Sequence, residues 1–107
     1  MNPIKVYAGD KLYDIDFTLQ DAAGAAFSLT GAATVKLRAQ KQGDGSLAVD
    51  GTASVIDANL GTVRYNVADG ELDEAGDYYA EIEVQFTGGK IVTFGDFIIR
   101  VLPQLPR

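Results

Sequence analysis

The stretch Glu74-Ala75-Gly76-Asp77-Tyr78-Tyr79-Ala80 runs directly into the alternating segment Glu81-Ile82-Glu83-Val84-Gln85-Phe86. Apolar residues occupy every second position of that segment, which is the period of a β-strand with one buried face. The same alternation directs Tyr78 toward the core and Tyr79 toward solvent. We therefore expect this strand to lie at the centre of the fold.

The residues Glu74, Gly76 and Tyr78 are spaced as in a tyrosine corner, the turn that leads into a long strand of immunoglobulin-like sandwiches. In that motif the ring is buried and the hydroxyl bonds nearby backbone, which contributes roughly the ~1 kcal/mol of a buried hydrogen bond. The alternative interpretation of Tyr78 is a core aromatic residue that happens to follow a turn. We favour the corner, and neither interpretation implies catalysis.

The rest of the sequence predicts short strands between turn residues and no helix. Apolar strand positions recur at residues 4–6, 13–19, 27–29, 35–39, 53–55, 63–67 and 90–102. We therefore predict an all-β fold, an immunoglobulin-like antiparallel β-sandwich of seven to eight strands. The domain is expected to span residues 1–102, with a proline-containing C-terminal tail at residues 103–107.

The polar segment from Lys41 to Gly51 is predicted to form a loop or a hairpin, because Asp-Gly dipeptides are typical of turns. Three acidic residues, Asp44, Asp50 and Asp57, crowd this part of the chain, and calcium prefers oxygen ligands. Their spacing matches no calcium-binding loop, and turn chemistry explains two of them. We therefore predict neither a metal site nor a cofactor.

The last predicted strand has a break in its alternation. Its second half places Phe97 and Ile99 on one face, whereas Val92 and Phe94 have the opposite parity. A bulge at Gly95-Asp96 would bring both sets to the core, because a bulge adds one residue to one strand of a pair. We favour the bulge, since glycine supplies the permissive backbone that a bulge uses.

The outward residues of the last two strands form the candidate interface. Tyr79 and Ile98 point outward with or without the bulge, and Val92 and Phe94 would join them if the bulge were absent. Single exposed apolar residues are ordinary, but a contiguous group indicates a partner. The sequence therefore predicts a contact surface on this strand pair.

Composition excludes several classes of function. A chain of 107 residues forms one small domain, and the absence of cysteine removes disulfides, thiolate nucleophiles and thiolate metal sites. The chain carries 9 basic and 15 acidic residues, a net charge of −6, so nucleic-acid phosphates would be repelled. No apolar run has the length of a membrane span or follows a basic start like a signal peptide. We expect neither a nucleic-acid nor a membrane partner.

An enzyme is not predicted. The chain has no histidine or cysteine, so acid–base catalysis would fall to carboxylates, lysines or tyrosines. Two carboxylate pairs, Asp14 with Asp16 and Glu81 with Glu83, could be imagined as a glycosidase dyad. Simple alternation on a solvated strand face explains both pairs, and we assign them no catalytic role.

Seven segments keep an informative order and spacing along nearly the whole chain: Ala8-Gly9-Asp10, Asp16-Phe17-Thr18-Leu19, Phe27-Ser28-Leu29-Thr30-Gly31-Ala32, Val35-Lys36-Leu37-Arg38, Gly61-Thr62-Val63-Arg64-Tyr65, Ala75-Gly76-Asp77-Tyr78-Tyr79-Ala80-Glu81-Ile82 and Gly89-Lys90-Ile91-Val92-Thr93-Phe94. Together they resemble the N-terminal immunoglobulin-like domain of upper baseplate proteins of tailed phages. Each piece alone recurs in unrelated β-sandwiches, so the combination carries the resemblance.

The resemblance implies a structural adaptor that packs against other virion structural proteins. The virion would be assembled in the bacterial host cytoplasm, and the module would serve in its baseplate, tail, neck or capsid surface. The chain would be either a trimmed domain or a freestanding small virion protein, and self-association is left open. The alternative is an adhesion or carbohydrate-binding module, for which Tyr7 and Tyr79 are the exposed aromatic candidates.

Overall fold

The computed structural model describes residues 3–43 and 45–105, with residue 96 described by its backbone alone. Asp44, which we predicted in a turn, lies outside the described residues. Residues 1–2, at the start of the predicted domain, and residues 106–107, at the end of the predicted tail, also lie outside the described residues.

Seven strands form in the described part of the chain: β1 Ile4–Tyr7, β2 Asp14–Thr18, β3 Ala32–Lys41, β4 Leu47–Asp57, β5 Thr62–Asn66, β6 Gly76–Phe86 and β7 Ile91–Leu102. They follow the order β1-β7-β6-β3-β4-β5-β2, and every neighbouring pair is antiparallel except β1 with β7. The predicted all-β class is confirmed. Among the described residues, no helix has the length and apolar character needed to cross a membrane.

The long strand β4 divides the fold into two layers. Its residues 47–53 pair with β3, and its residues 54–57 pair with β5. One layer therefore contains β1, β7, β6, β3 and the start of β4, and the other contains the end of β4 with β5 and β2. The rings of Phe17 on β2 and Phe97 on β7 meet edge to face, 5.1 Å between centroids.

The core lies between these layers and contains the inward positions that alternation predicted. On β6 the residues Tyr78, Ala80, Ile82 and Val84 are all buried. Full burial of one such aliphatic side chain contributes about 1.5–3 kcal/mol. No buried charged or polar residue interrupts this cluster within the described chain. Apolar packing thus holds the sandwich together without a disulfide.

The segment from Lys41 to Gly51 forms the hairpin between β3 and β4, one of the two predicted forms, but its turn is shorter than the predicted segment. Strand β4 already begins at Leu47, so the Asp50-Gly51 dipeptide lies within a strand and not in a turn. Glycine is needed at this position because the ring of Tyr65 occupies the space that a side chain would take. A Cβ atom on Gly51 would lie 2.5 Å from the Tyr65 hydroxyl oxygen.

The predicted strand at residues 27–29 is also wrong. This segment forms one isolated bridge, between Gln20 and Ala26. After the bridge it makes single hydrogen bonds to two different parts of the chain and does not pair along one strand. The Phe27 N–H donates to the carbonyl of Leu19, and the Leu29 N–H donates to the carbonyl of Ala58. Phe27 and Leu29 alternate as in a strand, but the segment that contains them is held by these two hydrogen bonds alone and forms no strand.

The break in β7 is a bulge, as favoured from the sequence. Ala80 pairs with Phe97 and Ile82 pairs with Phe94, so one residue of β6 faces two residues of β7, at positions 95 and 96. The bulge turns Val92 and Phe94 to the core side, where both are half-buried. The outward alternative for these two residues does not hold.

Candidate functional site

The turn before β6 is closed by Tyr78. Its hydroxyl donates to the carbonyl oxygen of Glu74 at 2.8 Å, and its ring is only 2% exposed. Burial raises the pKa of this hydroxyl, which therefore remains a donor. Gly76 has a φ of 144°, and a Cβ atom there would lie 3.0 Å from Lys41 Cε. The Lys41 side chain crosses this glycine and pairs with the Glu74 carboxylate at 2.9 Å.

We expect Tyr78→Phe to lower the free energy of unfolding by about 0.5–1.5 kcal/mol with the fold retained, because one buried hydrogen bond is lost. Urea denaturation measures this change. The matched control is Tyr79→Phe, which removes the hydroxyl of the exposed neighbouring ring and should leave the midpoint unchanged. Equal midpoints for all three proteins would show that the Tyr78 hydroxyl does not stabilise the turn.

A row of four side chains crosses the outer face of the larger layer. Tyr79 on β6 pairs with Ile98 on β7 and with Gln40 on β3, and Gln40 pairs with Leu47 on β4. Tyr79 is 54% exposed and Leu47 is 48% exposed, while Ile98 and Gln40 are half-buried. We call these four residues the Tyr79 row. It runs across four adjacent strands, perpendicular to the chain direction.

The sequence predicted only half of this row. Tyr79 and Ile98 were predicted on the outer face of the last two strands, but Leu47 lay in the segment predicted as a loop or a hairpin. The β3 and β4 register shifts by one residue between Ala39 and Gln40, so that Gln40 faces Leu47. This bulge at Ala48 turns Leu47 outward beside Gln40.

Charged pairs lie on both sides of the Tyr79 row. On one side Arg38 contacts Glu83 at 2.8 Å and Asp50 at 3.7 Å. On the other side Arg100 binds both carboxylate oxygens of Asp77, at 2.9 and 3.3 Å. Hydrogen bonds from Gln85 and then Arg38 lower the pKa of Glu83, and Arg100 lowers the pKa of Asp77.

These solvent-accessible pairs contribute little to stability, because water and salt screen them. Their arrangement matters more, because an apolar centre with a polar rim is the usual anatomy of a protein–protein interface. Between Tyr79, Leu47 and the Arg38 side chain the surface dips into a shallow hollow of about 250 Å³.

The carboxylates of Asp14 and Asp16 contact a basic and an amide side chain. Arg64 binds both oxygens of Asp16, at 2.7 and 3.1 Å, and lowers the pKa of that carboxyl group. The Asn66 side chain donates to Asp14 at 3.0 Å. Asp14 and Asp16 therefore belong to a network of contacts between side chains of β2 and β5.

The acidic residues considered for calcium have other contacts. Asp50 pairs with Lys36 at 3.4 Å, and Asp57 accepts the N–H groups of Asn59 and Leu60. Over residues 3–43, 45–95 and 97–105, no three acidic side chains are grouped as metal ligands. Asp57 instead caps the turn between β4 and β5.

Comparison with known proteins identifies the class to which this fold belongs. The family model of the BppU N-terminal domain, from the phage baseplate upper protein, matches residues 1–105. The chain belongs to this family, as the seven segments predicted, and the family points to a structural protein of the phage baseplate and hence of the virion.

A solved structure shows the same fold in another setting. CopC from Methylosinus trichosporium OB3b superposes with a TM-score of 0.59, covering 98% of this chain and 88% of that chain at 16% identity. At this identity the likeness concerns the fold alone. No curated protein matches the sequence significantly.

Proposed function

We propose that this chain is a non-enzymatic structural module of a tailed-phage baseplate that docks onto a neighbouring virion subunit through the Tyr79 row. The observation that carries the proposal is the continuity of the row over four strands. Tyr79, Ile98 and Leu47 supply the apolar surface of the row, Gln40 lies between Tyr79 and Leu47, and ion pairs flank the row on both sides. Membership of the baseplate family supports the setting.

Physical chemistry favours Tyr79 as the centre of such a contact. Tyrosine combines a large apolar ring with a polar hydroxyl and is enriched among the residues that dominate interface energies. Its backbone is fixed, because Tyr78 beside it is locked in the core. A rigid strand presents this ring at little cost in conformational entropy.

The test is incorporation of variants into phage particles. The double variant Tyr79→Ser/Ile98→Ser should remain folded and should enter particles at least about tenfold less than wild type, as expected for the loss of a central anchor. The control is Ile56→Ser/Leu60→Ser, which removes two exposed aliphatic residues near the turn between β4 and β5. Incorporation of the first variant at the wild-type level would place the contact elsewhere.

One observation supports a second candidate, carbohydrate binding. The hollow beside Tyr79 is lined by Gln40, Arg38 and Glu81, so an aromatic face and three polar groups meet there. Sugar rings stack on aromatic faces and bind polar side chains. Glycan-array binding by the isolated domain, lost on Tyr79→Ala, would favour this function over docking.

A further inference from the structure

Strand β7 is longer than the edge strand beside it. β1 pairs only with residues 99–102 of β7, whereas β7 begins at Ile91. Within the described residues, no strand pairs with the outer edge of β7 from Ile91 to Ile98. An edge of this kind presents backbone donors and acceptors to any strand that approaches it.

The β6–β7 hairpin determines which groups point outward. The Phe86 N–H donates to the carbonyl oxygen of Lys90 at 2.8 Å, so these two residues form a hydrogen-bonded pair. Hydrogen-bonded and non-hydrogen-bonded pairs alternate along an antiparallel ladder. The N–H and C=O of Val92 therefore face β6, whereas those of Ile91 and Thr93 face outward.

Between Lys90 and the bulge, the outer edge carries no charged side chain and no proline. Proteins usually protect a free edge from pairing with a charged residue, most often lysine, or with proline. Residues 91–95, Ile-Val-Thr-Phe-Gly, contain none of these, and the Ile91 side chain is 59% exposed. The bulge at positions 95 and 96 ends the regular edge on one side, and the Gly88-Gly89 turn ends it on the other.

We propose that this edge pairs antiparallel with the same edge of a second copy of the chain, about a two-fold axis at Thr93. In this register Ile91 faces Gly95 of the second copy, Val92 faces its Phe94, and Thr93 faces its own counterpart. The edge is self-complementary, as a two-fold interface requires.

The side chains fit this register. A Cβ atom added at Gly95 would meet no heavy atom within 4 Å, which leaves room for the isoleucine of the other copy. A β-branched residue opposite an aromatic one is a favourable cross-strand pair, and this is the contact of Val92 with Phe94. On the core side a groove of about 320 Å³, lined by Thr18, Gln20 and Phe97 among others, adjoins the same edge.

The dimer is expected to be weak. Five paired residues bury less than the roughly 1,200 Å² of a stable interface, so pairing requires high protein concentration. The proposal is independent of the Tyr79 row, because the variants below leave that row intact.

Sedimentation velocity over a concentration series of the 107-residue chain tests the proposal. Wild type should dimerise reversibly. Thr93→Lys and Thr93→Asp each place like charges directly opposite one another and should each raise the dissociation constant at least about fivefold. An equal mixture of the two variants should dimerise again, because lysine then faces aspartate. Thr93→Val, which keeps the backbone donor, should behave as wild type.

Thr93→Pro provides an independent check, because it removes an outward N–H and no bond to β6. It should abolish the dimer, and thermal unfolding should confirm that every variant is folded. The proposal is overturned if wild type stays monomeric over the whole series, or if both charged variants dimerise like wild type. It is equally overturned if their mixture remains monomeric.

Discussion

Gly61→Ala should lower the free energy of unfolding by about 2–5 kcal/mol, because the new methyl group would meet backbone and the residue would keep a left-handed conformation. Gly61 has a φ of 69° and lies buried at the turn between β4 and β5. A Cβ atom there would lie 2.6 Å from the Leu19 carbonyl oxygen and 2.7 Å from that of Phe27. The Leu19 oxygen cannot move freely, since it accepts the Phe27 N–H.

The matched control for this change is Gly24→Ala. Gly24 also has a left-handed backbone, with a φ of 85°, but a Cβ atom at that position meets nothing within 4 Å. Gly24→Ala should lower the free energy of unfolding only by the cost of the left-handed conformation, about 1–2 kcal/mol. Urea denaturation of both variants separates the two contributions. Equal losses would mean that Gly61 is not tightly packed against the crossing chain. A domain of this size has about 5–15 kcal/mol in total, so the larger loss would be easily measured.

Local patterns were enough to predict the β6–β7 half of the fold. The alternation of β6 identifies its inward residues, and the parity break in β7 locates the bulge at Gly95 and the following residue. Both features lie within one short hairpin. The turn alone would pair Tyr79 with Phe97, and the bulge shifts the register by one residue, so that Tyr79 pairs with Ile98.

Features that depend on distant segments could not be predicted in this way. Gly51 lies within a strand, where the ring of Tyr65 leaves no room for a side chain, and that contact joins residues from different strands. The outward position of Leu47 depends on a register shift between β3 and β4. An Asp-Gly dipeptide and a polar stretch indicate a turn locally, and tertiary packing overrides that preference here.

The structure also changes the composition of the candidate site. Val92 and Phe94 turn inward, and Phe94 packs edge to face on Phe27 with 4.9 Å between ring centroids. Gln40 and Leu47 take their place on the outer face beside Tyr79. The proposed surface therefore extends across the larger layer from β7 to β4, instead of following the last strand pair.

The central claim is that the Tyr79 row is covered in the assembled baseplate, and thiol labelling tests it most directly. The wild-type chain has no cysteine, so a single introduced thiol is its only thiol group. Leu47→Cys places that thiol in the row, and Leu60→Cys places it at the turn between β4 and β5, where the native side chain is 57% exposed. Both thiols should react readily in the free protein.

In assembled particles the Leu47→Cys thiol should react at least about tenfold more slowly than in the free protein, because an interface centre excludes water and reagent. The Leu60→Cys thiol should keep its free rate in the same particles, which controls for crowding on the virion. Labelling rates are measured by mass spectrometry of the chain after timed exposure to the reagent. Slow labelling of Leu47→Cys alone is the predicted result. Equal rates for Leu47→Cys in free protein and in particles would contradict docking through the Tyr79 row.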